Sequence, residues 1–205
     1  ETKVLVSGEV VIPIEHQLLV SENIDASAVE KIASHKQSLA QCRNWLSKYY
    51  PEAELIECSS NAEAARIAST ADKTAAIAGE LAAKIYNLVP IMKKIQDREH
   101  NSTRFLVLSQ EQTQSSSCDK TSILVYAENK PGALFRILEP FENLKISLTK
   151  IETRPAKVEA WEYVFFVDFE GHTDDDVIKK LFGRLENCAA EFKVLGSYPV
   201  ASINK

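Results

Sequence analysis

The sequence is poor in the features that most quickly classify a protein. It has no excess of positive charge: 24 Lys and Arg stand against 29 Asp and Glu, a net charge of −5. A nucleic-acid partner generally requires a basic stripe that displaces counterions, so that class is set aside. The densest cationic run, Met92-Lys93-Lys94, is read as a solvated helix face. Nor is there an apolar run near the roughly 20 residues that span a bilayer. The best candidate, Leu81 to Met92, is broken by Lys84, Asn87 and Pro90. The cysteines, Cys42, Cys58, Cys118 and Cys188, lie far apart and include no CxxC pair, which argues against zinc. A chain of 205 residues can bury its own core without disulfides, so free thiols in a reducing cytosol are expected. Neither an initiator Met nor a charged-then-apolar leader stands at the start, and the chain is expected to begin inside a longer protein.

What is present is the balance of an ordinary soluble protein, 45% hydrophobic and 26% charged. Residues 110–119, Gln-Glu-Gln-Thr-Gln-Ser-Ser-Ser-Cys-Asp, carry almost no apolar side chains and read as a linker. The expected division is therefore 1–109, the linker 110–119, and 120–205.

After the linker, Ser122 to Ala127 is an apolar, β-branched run that predicts a buried strand. Glu128-Asn129-Lys130-Pro131-Gly132 predicts a turn. Leu134, Ile137, Leu138 and Phe141 recur at helical spacing. Strands are expected over Ile146 to Ile151 and Ala160 to Phe169, the second with Trp161, Tyr163, Phe165, Val167 and Phe169 on one face. Val177, Ile178, Leu181, Phe182 and Leu185 mark a second helix behind the acidic run Asp174 to Asp176, and Phe192 to Leu195 a last strand. The order is βαββαβ, a ferredoxin-like unit.

Before the linker, Val10 to Ile14, Gln17 to Val20, Leu55 to Cys58, Thr74 to Ala78 and Arg104 to Leu108 predict strands. Leu39, Cys42, Leu46 and Tyr49 give a helical stripe ended by Pro51. Ser60-Asn61-Ala62-Glu63 is a capping box for a helix from Asn61 to Ser69, and another helix is expected over Gly79 to Tyr86. This alternation predicts a largely parallel sheet with covering helices, so the fold class is α/β followed by α+β.

Six strings carry more. Ser34-His35-Lys36-Gln37…Gln41-Cys42, Ser59-Ser60-Asn61-Ala62-Glu63-Ala64-Ala65, Ala75 to Ala83 and Asn101-Ser102-Thr103-Arg104-Phe105 stand before the linker. Gly132-Ala133-Leu134-Phe135 and Glu152-Thr153-Arg154-Pro155 follow it, with Trp161-Glu162-Tyr163 and Lys193 to Pro199 beyond. Their order and spacing resemble the prephenate dehydratase family with its regulatory ACT domain, over nearly the whole chain. The sequence departs at Lys36 (usually Pro), Thr153 (usually Ser) and Gly79 (often Ser), and it shows nothing like the Gly-rich opening of the family's first lobe. The resemblance implies part of a periplasmic-binding-protein-like two-lobe catalytic domain in residues 1–109, with the N-terminal lobe missing, followed by an ACT domain.

It further implies conversion of prephenate to phenylpyruvate in phenylalanine biosynthesis, a lyase reaction that requires no metal or organic cofactor. Thr103 would stand beside the leaving hydroxyl. Arg104 would pair with a substrate carboxylate or, since neighbouring strand residues face opposite ways, turn away and hold structure. Phe105 would pack against the ring, and Ser34 and Gln41 would bind carboxylate or carbonyl oxygen. Ser34 and Ser60 are equally read as helix caps. His16, His100 and His172 show no catalytic or metal spacing. L-phenylalanine would bind the ACT domain at Asn129, Gly132, Ala133, Leu134 and Phe135, with Glu152, Thr153, Arg154 and Pro155 on the same interface of a homodimer or tetramer. A cytoplasmic location, with no membrane or nucleic-acid partner, follows from the same reading. Arogenate dehydratase and a non-catalytic amino-acid sensor remain open beside it.

Overall fold

The computed structural model describes residues 3–98, 101–128, 130–155 and 163–201. The chain divides into two compact units, one of residues 12–103 and one of residues 1–11 with 104–205. The first eleven residues thus belong by packing with the C-terminal half, whereas a linear division at 110–119 would separate them.

Strand β1 (Leu5–Pro13) opens the chain. In the unit of residues 12–103 there follow β2 (Gln17–Ser21), β3 (Lys31–His35), α1 (Lys36–Gln41), α2 (Arg43–Tyr49), β4 (Glu54–Cys58), α3 (Asn61–Ala68), β5 (Thr74–Ala78), α4 (Glu80–Tyr86) and β6 (Leu88–Lys93). Strands β2 to β6 form one sheet in the order β4-β3-β5-β2-β6. β3 runs parallel to β4 and β5, while β2 is antiparallel to β5 and β6. The largely parallel sheet expected from the alternation is corrected to a mixed one. β2 precedes the first strand–helix repeat, is not held by a crossover, and inserts between β5 and β6 in the opposite sense. Pro90 is tolerated because β6 is an edge strand, at a register shift against β2.

The sheet has two different faces. One carries Leu18, Val20, Ile32 and Ile77 against Leu39, Cys42 and Leu46 of the α1–α2 side. The other carries Leu19, Ala33, Ala76 and Ala78 against Ala64, Ala65, Ala68 and Ala83 of α3 and α4, where small side chains let the helices lie close. The single helical stripe through Tyr49 is corrected as well. Cys42 (φ −113°, ψ 15°) breaks it into α1 and α2, and Tyr49 is exposed with its ring tilted over Trp45.

In the other unit β7 (Ser102–Ser109) pairs with β1 as a two-stranded ribbon. Then come β8 (Asp119–Ala127), α5 (Ala133–Asn143), β9 (Leu148–Pro155), β10 (Tyr163–Glu170), α6 (Asp176–Leu185) and β11 (Glu191–Pro199). Their sheet, in the order β11-β8-β10-β9, is antiparallel throughout, and the βαββαβ reading stands. Ile123, Val125, Phe165, Val167 and Phe169 pack against Ile137 and Phe141 of α5 and Ile178, Leu181 and Leu185 of α6. Ala160 and Trp161 of the expected third strand lie outside the described residues. Tyr163, Leu134 and Val177, expected on apolar faces, are exposed.

Residues 110–119 are held by this unit through polar groups. His172 Nε2 donates to the Thr113 carbonyl at 3.1 Å, the Thr113 hydroxyl donates to the Ser197 carbonyl, and Asp119 accepts from the Ser116 N–H at 2.6 Å. Gly196 (φ 151°) lies under β1, and a Cβ there would fall 2.0 Å from the Val6 carbonyl oxygen. Among the described residues no helix is long and apolar enough to cross a membrane.

Candidate active site and effector loop

Parallel strands deliver their C-terminal ends to one edge of a sheet, where the following loops and helix starts make a crevice. Here β3 ends at His35 and β4 at Cys58, in register with each other. The loops beyond them open an uncovered recess of about 440 Å³, lined by Gln37, Ser38, Gln41, Ser60, Asn61, Asn101 and Thr103 together with His16 and His35. Thr103, at the start of β7, is exposed to it.

Three local devices set the lining. The His35 imidazole caps α1, its Nδ1 accepting from the Gln37 N–H at 3.2 Å. Ser60 caps α3 by accepting from the Glu63 N–H at 3.1 Å. Glu63 reaches back to the Ser59 N–H at 3.0 Å rather than to Ser60, so the capping box is displaced by one residue. Gln41 Oε1 meets His16 Nε2 at 2.7 Å and accepts from Asn101 Nδ2 at 3.3 Å. The buried His16 is itself fixed by its backbone N–H, which donates to Gln96 Oε1 at 3.0 Å.

Ser34 lies behind this surface and is fully buried. Its hydroxyl is 2.7 Å from the Ile77 carbonyl and 3.0 Å from Asn61 Oδ1. Ser34 thus stands behind the lining of the recess and is not part of it. A second, larger hollow of about 750 Å³ shares Gln37, Gln41 and Asn101 and adds Arg43, Arg98 and Asp97. Asp97 is occupied there, accepting from the N–H groups of Asn44 and Trp45 at the start of α2.

Arg104, next along β7, belongs to the other unit, and each of its three guanidinium nitrogens donates one hydrogen bond there. Nε donates to Glu9 at 2.5 Å, Nη1 to Asp168, and Nη2 to the Tyr198 hydroxyl at 2.5 Å. Glu9 also accepts from Lys120 at 2.8 Å and from the Ala201 N–H at 3.0 Å. Ser122 joins Asp168 and Tyr198 at 2.5 and 2.6 Å. Burial pushes the Glu9 carboxyl up. The hydrogen bonds from Lys120 and Ala201, with the charges of Arg104 and Lys120, outweigh it and hold the group below its ordinary value. Burial likewise raises the Tyr198 phenol. Arg104 thus lies among these carboxylates and the Tyr198 hydroxyl and is not among the residues lining the recess, the placement expected if it turns away from Thr103's face. Phe105 is half exposed and is not among the residues lining the recess.

In the same unit Gly132 stands immediately before α5 in the left-handed conformation, φ 76°. That conformation costs a residue with a Cβ roughly 1–2 kcal/mol. Ala133 packs on the core, while Leu134 and Phe135 point to solvent, Phe135 being 67% exposed. On β9 Glu152 pairs with Lys150 and Arg154, and Arg154 lies 5.6 Å over the Phe166 ring. Thr153 is exposed beside them. Asn129 lies outside the described residues, as does the side chain of Pro155. His16, Asn61 and Asn101 in the recess, and Glu9 and Asp168 around Arg104, are the residues that sequence reasoning missed. Asn101, two places before Thr103, and Asn61, between Ser60 and Ala62, stood in matched strings and carried a signal; His16 and Glu9 carried none.

Known proteins extend this picture. The family described as prephenate dehydratase matches residues 1–113, and the ACT domain family matches residues 121–187. A bifunctional chorismate mutase/prephenate dehydratase of Pseudomonas aeruginosa is 47% identical over 201 residues, covering 98% of this chain and 55% of the relative. The prephenate dehydratase of Methanocaldococcus jannaschii is 33% identical over 94% of this chain and 70% of its own length. A crystal structure of prephenate dehydratase from Arthrobacter aurescens, in complex with L-Phe, superposes with a TM-score of 0.84 at 29% identity, covering 96% of this chain and 66% of that one. The chain thus spans about half the length of its Pseudomonas relative. On the family match across its first 113 residues, with the ACT match behind it, this chain belongs to the prephenate dehydratase family.

Proposed function

We propose that the chain is the part of a prephenate dehydratase that carries Thr103 and a phenylalanine-sensing ACT domain. The observation that carries the reading is the recess itself. A chain of this family presents the Thr103 hydroxyl and the Gln41 amide at the C-terminal ends of two parallel strands.

In the proposed reaction the bond from the ring to its carboxylate breaks, and carbon dioxide departs. The freed electron pair completes the aromatic ring and expels the ring hydroxyl, which takes up a proton and leaves as water. Aromatisation supplies the driving force, so the site has to ease the departure of hydroxide. A threonine hydroxyl is not ionised at neutral pH. Thr103 acts by donating a hydrogen bond to the leaving oxygen or relaying a proton from water, help worth about 10²–10⁴-fold. Gln41 orients the substrate, Ser34 supports the wall from behind, and Arg104 fixes strand β7 one residue beyond Thr103. Phe105 shares Thr103's face of the strand by period and is assigned to the ring.

Catalysis is assigned to residues 1–109 and sensing to 120–205, with 110–119 between them. Gly132 to Phe135, Asn129 and the Glu152 to Pro155 segment form the proposed phenylalanine site in a cytoplasmic homodimer or tetramer. Support comes from the left-handed Gly132, which lets backbone approach a ligand closely, and from the exposed Leu134 and Phe135. Phenylalanine regulates by binding one arrangement of the protein more tightly than another.

The test is the appearance of phenylpyruvate from prephenate in the full-length protein, with arogenate run in parallel. Thr103→Ala should lower kcat by about 10²–10⁴-fold; unchanged turnover removes Thr103 from the mechanism. Calorimetric titration with phenylalanine, and tyrosine as control, tests the sensor. No heat with phenylalanine would leave the ACT domain without its assigned ligand.

A further inference from the structure

We propose that Asn61 is a substrate-contacting residue whose amide N–H pair donates to the ring carboxylate that leaves as carbon dioxide. The inference rests on the dehydratase reading and adds to it a residue that the resemblance leaves without a role.

The argument starts from an atom whose chemistry is not negotiable. The backbone N–H of His35 can only donate, and it points at the Asn61 side chain at 3.2 Å. The amide atom facing it is therefore the oxygen, Oδ1. Ser38 Oγ donates to the same oxygen at 3.0 Å. Ser34 Oγ is a third neighbour at 3.0 Å, its single proton shared with the nearer Ile77 carbonyl. Turning the amide over would set its NH₂ hydrogens against the His35 N–H, so the network fixes one orientation.

With Oδ1 held from behind, Nδ2 faces the other way. Among the described residues no group accepts its hydrogens, and it is not one of the buried polar atoms left without a partner. Asn61 lines the recess beside Thr103, so those two hydrogens are presented to a ligand there. The side chain is not needed to start α3, because Ser60 already caps that helix.

Among the described residues the lining contains no Asp, Glu, Lys or Arg. A neutral donor suits the carboxylate that departs. An Arg or Lys would stabilise its full negative charge in the ground state, and that stabilisation would be lost as the charge flows into the ring. A neutral amide orients the group while holding it less firmly. Asn61 donates and Thr103 assists at the leaving hydroxyl, which gives the two departing groups separate partners in one recess.

The test uses Asn61→Asp in the full-length protein. Aspartate still offers an oxygen to His35 and Ser38 but turns an anionic oxygen, in place of two donors, towards the recess. The KM for prephenate should rise about ten- to hundredfold, the span of a lost charge-assisted hydrogen bond. Inhibition by phenylpyruvate, which lacks the ring carboxylate, should stay within about twofold. Asn61→Ala, which introduces no charge, should move KM in the same direction and serves if the aspartate variant does not fold. Wild-type turnover with an unchanged KM in both variants overturns the inference and leaves the dehydratase reading intact. Equal loss of prephenate and phenylpyruvate binding overturns the assignment to the departing carboxylate. Absence of wild-type turnover removes the reading and the inference together.

Discussion

Replacing Arg104 by Ala removes one cation from between two buried carboxylates. The side chain of Glu9 is 1% exposed and that of Asp168 is 9%, so neither recovers much solvent when the guanidinium is deleted. Breaking a buried ion pair by removing one partner costs about 3–5 kcal/mol. The Arg104 side chain is 23% exposed, and each carboxylate keeps another donor, Lys120 and Ala201 for Glu9 and Ser122 for Asp168. The expected loss is therefore at the low end, about 3 kcal/mol, a large share of the roughly 5–15 kcal/mol that holds a typical domain folded. Amide hydrogen exchange read on peptides of β8 and β10 isolates this unit, and its rates should rise roughly a hundredfold. Arg104→Lys keeps the charge but not the three-way fork and should fall between the two. The pH dependence has a definite sign. Glu9's carboxyl is held below its ordinary value in the fold, so its contribution is full above the unfolded value near 4.5 and fades as pH falls through the folded one. The gap between wild type and Arg104→Ala should narrow in the same direction. Exchange in β8 and β10 that is unchanged by the substitution would refute the network.

Other perturbations test other parts of the fold. Gly196→Ala should prevent β1 from seating, because the new Cβ would stand 2.0 Å from a backbone oxygen rather than from a movable side chain; soluble, protease-resistant protein with native spectra would contradict this. Gly132→Val should abolish the calorimetric signal of phenylalanine while lowering stability by about 1–2 kcal/mol, and retained binding would move the effector site elsewhere. Thiol labelling at pH 8 should reach the exposed Cys118 first. Cys42 should resist until unfolding, since burial, helped by the charge of Asp97, pushes its thiol up to about 12. Early labelling of Cys42 would mean that the α1–α2 core opens readily.

What was legible in the sequence was what local pattern encodes. The βαββαβ order followed from apolar runs such as Ser122 to Ala127 and from Pro131-Gly132, and each element formed within a few residues of its expected place. Strand β3 escaped because Ile32-Ala33-Ser34 has little β-branched bulk, yet small residues are what close packing against α3 demands. β6 escaped because Pro90 argues against a strand unless the strand is known to be an edge. The direction of β2 is set by its neighbours, which no local pattern records. The recess divides in the same way. Thr103 and Gln41 were reached through matched strings. Asn61 looked like part of a capping box, and His16 like an isolated histidine. Their partners lie 26 and 25 residues away, beyond any periodicity. The Arg104 network is more remote still, since Glu9 stands 95 residues before it.

The discontinuity of the second unit has a consequence for synthesis. The unit of residues 12–103 is complete once Thr103 has left the ribosome, whereas β1, which ends at Pro13, waits for its partner β7, which begins at Ser102. At about 5–20 residues per second that wait is on the order of 5–20 s. Throughout it, Val10 lies on a strand not yet paired with β7, a state open to pairing with a second nascent chain. Charges within and beside that strand, Lys3 and Glu9, are its protection in this interval. Glu9 thus serves the chain twice, first as a gatekeeper in water and then as the buried anchor of Arg104.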